Sequence, residues 1–448
     1  MMTHIRIKNI GPIKDVDIDL NRVNVFMGPQ SSGKSTIAKI ISYCSWYEKN
    51  IILGTKPNID FYKELVEFHN FEDAYFCDES LIEYTSPNFH ILFKGVDRKL
   101  SLKKVDVDSV NIFHNKKIEY IPAERNVISI PGIGQYTDSR NNILNFLYDW
   151  FRAKRGKKVD NRYELPLNSL NGISYYYIQD EDNDKLILKD GKEIRLQHSS
   201  SGLMSVTPLL LVFNYVINEV YSERRPLSPF ETINIETRVK LFDENKQDFI
   251  INLKNSEKIL NDIKKQISEI DTPSHDISNS DKRMKKIREK VSSSEKLMLD
   301  RQKEITKSIG FDTDYRYTTF IIEEPELNLF PKAQQELVYY MIKEMFREER
   351  EHQLVITTHS PYILFALNNC IMGGLVNDNI PNDEKETFVS YKSWINPKYV
   401  SIYEIHDGEL KCIQDEDGIL EDNYLNMAYK ENSSEYLSLL NYFDDNEE

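Results

Sequence analysis

The chain has 448 residues, 40% hydrophobic and 11% aromatic, which suits one large domain with an insertion, or two domains, and excludes a disordered chain. A formal net charge of -15 makes the surface repel nucleic acid on average, so any such contact must be local or confined to an assembled state. No apolar run approaches the ~20 residues that span a bilayer, since the best, 208–217, is interrupted by Asn214, and MMTHIRIK lacks a secretory apolar stretch.

Taken in chain order, the opening predicts two short strands and then a strand-turn-helix. Ile5, Ile7, Ile10 and Ile13 lead to the alternating Val16-Asp17-Ile18-Asp19-Leu20, and then to the apolar run 23–27. Gly28-Pro29-Gln30-Ser31-Ser32-Gly33-Lys34-Ser35-Thr36 follows, ahead of a helical pattern. This is G-x-x-x-x-G-K-[ST] between a buried strand and a helix, a context that marks a phosphate cradle. Its glycines let successive N–H groups surround a phosphate, the helix N-terminus adds partial positive charge, and Lys34 reaches the outer phosphates. The Ser35 hydroxyl suits Mg²⁺.

Cys44, Cys77, Cys370 and Cys412 lie far apart with no C-x-x-C pair, which speaks against zinc or disulfides and for a reducing, cytoplasmic setting. All four are expected to be buried or half-buried. The serine-rich run from Ser199 to Ser205 precedes an apolar helix. It is either an ordinary cap or a second anion site.

The segment 221–310 reads as an insertion. Ile259, Ile263, Ile267 and Ile270 predict one helix, and Met284, Ile287, Val291, Met298 and Ile305 a second, giving an antiparallel hairpin with coiled-coil character. From Lys282 to Lys290 (KRMKKIREK) runs the strongest basic cluster. It is a solvated helix face or a contact for DNA, RNA or an acidic partner, and the lack of interleaved aromatics argues against base stacking.

Thr318 to Ile322 predicts a short buried strand that ends in two acids. Glu323 is placed to hold Mg²⁺ through water, and Glu324 to orient or deprotonate an attacking water. Pro325-Glu326-Leu327-Asn328-Leu329-Phe330-Pro331 then opens an amphipathic helix. A second strand, 354–358, ends at His359, a γ-phosphate sensor or a satisfied core residue. Beyond it, 388–413 reads as strands completing the domain with a hairpin turn at Asp407-Gly408, 424–442 as a closing helix, and DDNEE as a fraying end.

EEPELNLFP followed by ITTHSPYIL resembles the Walker B, D-loop and switch-histidine series of ABC-type ATPases, in the SMC, RecF and OLD-like variant. IKNIGPIKDVDIDLNRVNVFMGPQSSGKSTI and Tyr120-Ile121-Pro122-Ala123-Glu124-Arg125 resemble that group too. The resemblance implies an α/β P-loop head with a mixed sheet and flanking helices, divided as 1–220, the insertion 221–310, and 311–448. It implies ATP and Mg²⁺ as ligands and ATP hydrolysis as the activity. It also implies a signature loop, here Ser201 and Gly202, that contacts the γ-phosphate held by a second copy, so the chain would close over ATP as a dimer or higher even oligomer.

The sequence departs from the group's common pattern at Leu203 and Met204, where L-S-G-G-Q has Gly and Gln, and at Glu323, where Walker B usually has Asp. Arg125 is expected to touch phosphate, a partner or a carboxylate. No Toprim-like nuclease motif follows the head. At class level the resemblance therefore implies an ATP-driven switch controlling a separate effector, such as a nuclease, as the PARIS and Septu ATPase subunits of anti-phage defence do. The alternative is a RecF-like repair or chromosome-maintenance ATPase that binds DNA itself. A transporter subunit is disfavoured by the insertion and the E-E-P-E motif.

Overall fold

The computed structural model of the chain describes residues 3–53, 59–104, 115–130, 141–221, 315–440 and 442. Apart from Tyr221, the expected insertion 221–310, with its hairpin and basic run, lies outside the described residues, as does the end 443–448.

The first elements follow from alternation. In β1 (Thr3–Ile10) and β2 (Ile13–Leu20), Ile5, Ile7, Ile10, Val16, Ile18 and Leu20 are buried, while charged residues share the other face, where Lys8 meets Asp15 at 2.8 Å. Such exposed pairs contribute about 1 kcal/mol or less each, so the apolar face sets the register. β3 (Val23–Met27) is buried on both faces, as its unbroken apolar run requires of a parallel strand.

The chain continues through α1 (Lys34–Leu53), α2 (Phe61–His69), β4 (Phe76–Thr85), β5 (Phe89–Lys94), β6 (Lys99–Lys104), β7 (Lys116–Ile121) and α3 (Asn142–Lys154). Next come β8 (Tyr163–Glu164), β9 (Ser174–Ile178), β10 (Asn183–Ile187), β11 (Glu193–Arg195) and α4 (Ser201–Asn214). After the insertion follow β12 (Tyr317–Glu323), α5 (Pro331–Phe346), β13 (Gln353–Thr358), α6 (Pro361–Val376), β14 (Val400–His406), β15 (Glu409–Cys412) and α7 (Tyr424–Leu440).

Among the described residues these make a large mixed sheet, β6-β5-β4-β1-β2-β15-β14-β3-β13-β12-β7, and a small antiparallel one, β11-β10-β9-β8. From β14 across β3, β13 and β12 to β7, neighbouring strands pair in parallel. The carboxyl ends of β3, β13, β12 and β7 therefore lie along one edge: Met27 pairs with Thr358, Thr357 with Glu323, and Ile322 with Ile121.

Helices cover both faces. Ile37, Ile41 and Cys44 of α1 and Phe61 and Leu65 of α2 pack with Ile321 on one side. On the other, Phe146, Trp150, Leu210, Phe213, Leu337, Met341, Ile363 and Leu367 of α3 to α6 pack with Phe320 and Ile322. β7 carries charges into both layers. Lys116 lies 3.4 Å from Glu48 of α1, and Lys117 meets Asp149 of α3 and, at 3.1 Å, Glu119. All five are 9% exposed or less.

Several expectations need correction. Residues 388–399 form short 3₁₀ turns around Trp394 rather than strands, so only β14 and β15 complete the sheet, and Asp407 and Gly408 both adopt left-handed φ in the two-residue hairpin between them. Cys44 and Cys370 are buried but Cys77 and Cys412 are exposed. α7 forms as expected, yet buries none of its residues. The apolar stretch at 208–217 belongs to a longer helical run, because a π-turn at Tyr215–Glu219 continues α4. Ser201–Glu219 is long and apolar enough to cross a membrane by composition, but 67% of it is buried inside the protein, as in a core helix.

Tyr221 and the start of β12 are held together by His352. It is 1% exposed, and its Nδ1 accepts from the Thr318 N–H at 3.1 Å and meets the Tyr221 hydroxyl at 3.4 Å. Burial, and then the charges of Arg350 and Arg22, push its pKa down to about 4. The folded value lies below the ~6.5 of an unfolded histidine, so its contribution is complete above ~6.5 and is lost as pH falls toward 4. His352→Gln should flatten the loss of melting temperature over that window. Parallel pH curves for variant and wild type would sink the assignment.

Candidate active site

After Met27 the chain turns through Gly28-Pro29-Gln30-Ser31-Ser32-Gly33 into α1, which begins at Lys34. A Cβ on Gly28 (φ +152°) would lie 2.4 Å from the Ile405 carbonyl oxygen, and one on Gly33 (φ +105°) 2.3 Å from the Ile13 side chain. The loop is thus wedged between β14 and the β1–β2 connection, and only glycine fits at these two positions. Gln30, Ser31 and Ser35 are exposed, Pro29 and Ser32 half-buried, and Thr36 buried. Lys34 is 5% exposed, and its Nζ donates to the carbonyls of Gly28 (2.9 Å) and Pro29 (2.7 Å). Burial pushes its pKa down to about 8, against the opposing charges of Glu324 and Glu326.

Glu323 closes β12, 4% exposed, with its Oε1 buried and unpartnered among the described residues. Glu324 departs from the strand at φ +43°, a conformation that costs a non-glycine residue about 1–3 kcal/mol, and its N–H donates to the Thr357 carbonyl at 2.9 Å. The turn aims its carboxylate back across β13, 3.6 Å from His359 Nε2. Burial first, then Lys34, lowers the His359 pKa, with Glu324 opposing; this favours the neutral ring, which has one donor and one acceptor nitrogen.

Two further side chains organise this edge. Glu326 accepts from the Thr358 hydroxyl at 2.9 Å and from the His359 N–H at 2.7 Å, tying the acid turn to the histidine strand. Burial raises its pKa. Its place as the third acid of E-E-P-E was the available signal. Arg125, 0% exposed, forms no ion pair among the described residues. It donates to the carbonyls of Pro122 (3.2 Å), Ser205 (3.1 Å), Glu323 (2.9 Å) and Glu324 (2.8 Å). The expected carboxylate contact thus gives way to a pin through main-chain oxygens.

The Ser199–Ser205 stretch enters α4 three residues earlier than the apolar pattern suggests. Ser200 is its N-cap, accepting from Leu203 N–H at 3.4 Å. Ser201 is exposed, and Gly202 rests against the turn after Glu324: a Cβ there would lie 2.8 Å from the Asn328 carbonyl oxygen.

The structure therefore gathers Lys34, Glu323, Glu324 and His359 on one sheet edge, and sets Ser201 and Gly202 beside it on a solvent-facing helix start. No group of three or more His, Cys, Asp or Glu that could hold a metal occurs among the described residues. Mg²⁺ that keeps its waters and phosphate ligands needs only one or two protein oxygens, which the Ser35 hydroxyl and the unpartnered Glu323 Oε1 fit.

Residues 312–364, the acid strand through the start of α6, match the family described as AAA ATPase domain. The match spans 53 of the 448 residues, the segment that carries Glu323, Glu324, Glu326 and His359, and these stand beside the P-loop on one sheet edge in the motif order that resembles SMC/RecF-like ABC-type ATPases. No curated protein matches it in sequence. Among solved structures it is similar to an SMC head domain from Thermotoga maritima (8% identity, TM-score 0.35, covering 93% of this chain and 100% of that one). It is also similar to the recombination mediator protein RecF with ATP (12%, 0.27, 92% and 98%) and to a dimeric bacterial ABC transporter cassette (11%, 0.23, 92% and 99%).

Proposed function

We propose that the chain binds ATP with Mg²⁺ and hydrolyses it to ADP and phosphate in a site completed by a second copy. The observation that carries this reading is the division of the machinery: the acids, histidine and P-loop share one edge, while the α4 start lies beside it with Ser201 exposed and Gly202 half-buried against the Asn328 turn. A partner's ATP would give that helix start the anion that its free N–H groups suit.

Ser35 and, through water, Glu323 would hold Mg²⁺, which would supply positive charge against the charge that develops on the phosphates. Lys34 would leave the Gly28 and Pro29 carbonyls for the β- and γ-phosphates. Glu324 would orient a water in line with the γ-phosphorus and accept its proton as the new P–O bond forms and the bond to ADP breaks. His359 would donate to a γ-phosphate oxygen and, through its contact with Glu324, report whether that phosphate is present. Two-fold closure over two ATP molecules then acts as a clamp that hydrolysis releases. The output we propose is control of a separate effector, such as a nuclease in anti-phage defence; its support is the resemblance of the motif series to stand-alone heads of that kind.

Glu324→Gln tests the core of this. It should retain ATP binding, lose roughly 10²–10⁴-fold in turnover, and accumulate with ATP and Mg²⁺ at twice the monomer mass or an even multiple of it. Normal hydrolysis, or a monomer with ATP bound, would overturn the assignment.

A further inference from the structure

Arg125 is among the largest fully buried side chains of the described residues, and its hydrogen bonds there all go to peptide carbonyls. Its donors reach three segments. Pro122 lies after β7, Ser205 lies in the second turn of α4, and Glu323 and Glu324 form the end of β12. Burial lowers its pKa to about 10, with Glu326, Glu324 and Glu323 opposing, so the guanidinium stays charged. Leaving any of those buried carbonyls unpaired costs about 1–3 kcal/mol, so the three segments cannot separate freely. The α4 start meets the acid turn a second time, where the Gly202 Cα approaches the Asn328 carbonyl too closely for any Cβ. Glu324 itself sits at a φ that it does not prefer and must be held from outside.

We infer that Arg125 is a positioning residue that locks the α4 start to the main chain of Glu324. Capture of a partner's ATP by Ser201 and Gly202 and the aim of Glu324 at its own nucleotide then move as one unit. The inference rests on the proposed ATP sandwich. It goes further in naming the residue that carries information between two half-sites on one chain, and it makes Arg125 act through main-chain oxygens without touching nucleotide. Lysine cannot replace it, because a single ammonium cannot span four carbonyls in the fixed fork that a guanidinium presents.

Hydrogen–deuterium exchange with a non-hydrolysable ATP analogue and Mg²⁺ tests it. In the wild type the analogue should slow exchange in both 199–206 and 323–329. In Arg125→Lys and Arg125→Met, slowing at 199–206 should fall about fivefold or more while slowing in the P-loop is kept, and Arg125→Lys should lose kcat with little change in KM. Equal slowing of both segments in the variants, or a wild-type response in only one, overturns the inference. If the Arg125 variants do not fold, Gly202→Ala gives the same answer from the other contact. Its methyl lies on α4 yet should alter exchange at 323–329, and a change confined to α4 overturns the coupling. Normal hydrolysis by Glu324→Gln would remove the catalytic reading of that residue and leave the exchange result standing, so the two failures are distinguishable.

Discussion

Mixed in equal amounts, Lys34→Ala and Ser201→Arg chains should regain roughly a quarter of wild-type ATPase activity, although each alone is inactive. In a two-fold sandwich every site takes its P-loop from one chain and its α4 start from the other. A Lys34→Ala dimer has no competent P-loop, and a Ser201→Arg dimer has no competent cap. A heterodimer unites both defects in one site and leaves the second site intact. Random exchange makes half of all dimers mixed, and one of two sites in each is whole, which gives the quarter. The substitutions suit the geometry: Ser201 is exposed, so arginine there spares the core, and Lys34 binds only loop carbonyls and a loop hydroxyl in its own chain. Activity in either single variant, or none in the mixture, would mean the site is complete within one chain.

ATP affinity should be constant below about pH 8 and fall by up to tenfold per pH unit above it. Burial holds Lys34 near that value, far below an exposed lysine. A triphosphate binds the ammonium, so above about 8 binding must first take up a proton, and that linkage weakens it until the higher pKa of the bound state is passed. Arginine keeps its charge across this range, so Lys34→Arg should remove the slope even while lowering affinity, and Lys34→Ala should lower affinity by about 10²-fold below pH 8, a deficit that shrinks above it as the wild type weakens. Calorimetric titration in buffers of different ionisation enthalpy measures the proton directly. No uptake at pH 9 would contradict a lysine poised this way.

Where an activity needs residues at fixed spacing, the sequence was enough. Gly28, Gly33 and Lys34 belong to one turn, and Glu323 and Glu324 end one strand, so local spacing places them and the structure keeps them together. The distant pairings were not legible. Arg125 finds acceptors 80 and 199 positions away, and Glu326 finds Thr358 and His359 across a strand, contacts that only the sheet order creates. Residues 388–399 failed for a different reason. Phe388, Tyr391 and Trp394 recur at every third position and pack as a knot, with Trp394 edge-on to Tyr391 and its N–H bonded to the Ser390 hydroxyl at 3.0 Å. The small sheet β8–β11 gave no signal beyond its tyrosines, since β8 is only two residues long and β11 only three.

The lysines of β7 bear on how copies of the chain can meet. A terminal strand with free ladder groups invites a neighbour to add to it, and stacking by that route has no natural stop. Here a strand laid along β7 would draw Lys116 and Lys117, on opposite faces, further from water and crowd the acids that neutralise them. Among the described strands, growth of the sheet past β7 is thus discouraged by charge, a cost that the core-facing lysines impose without any residue on the surface being set aside for it.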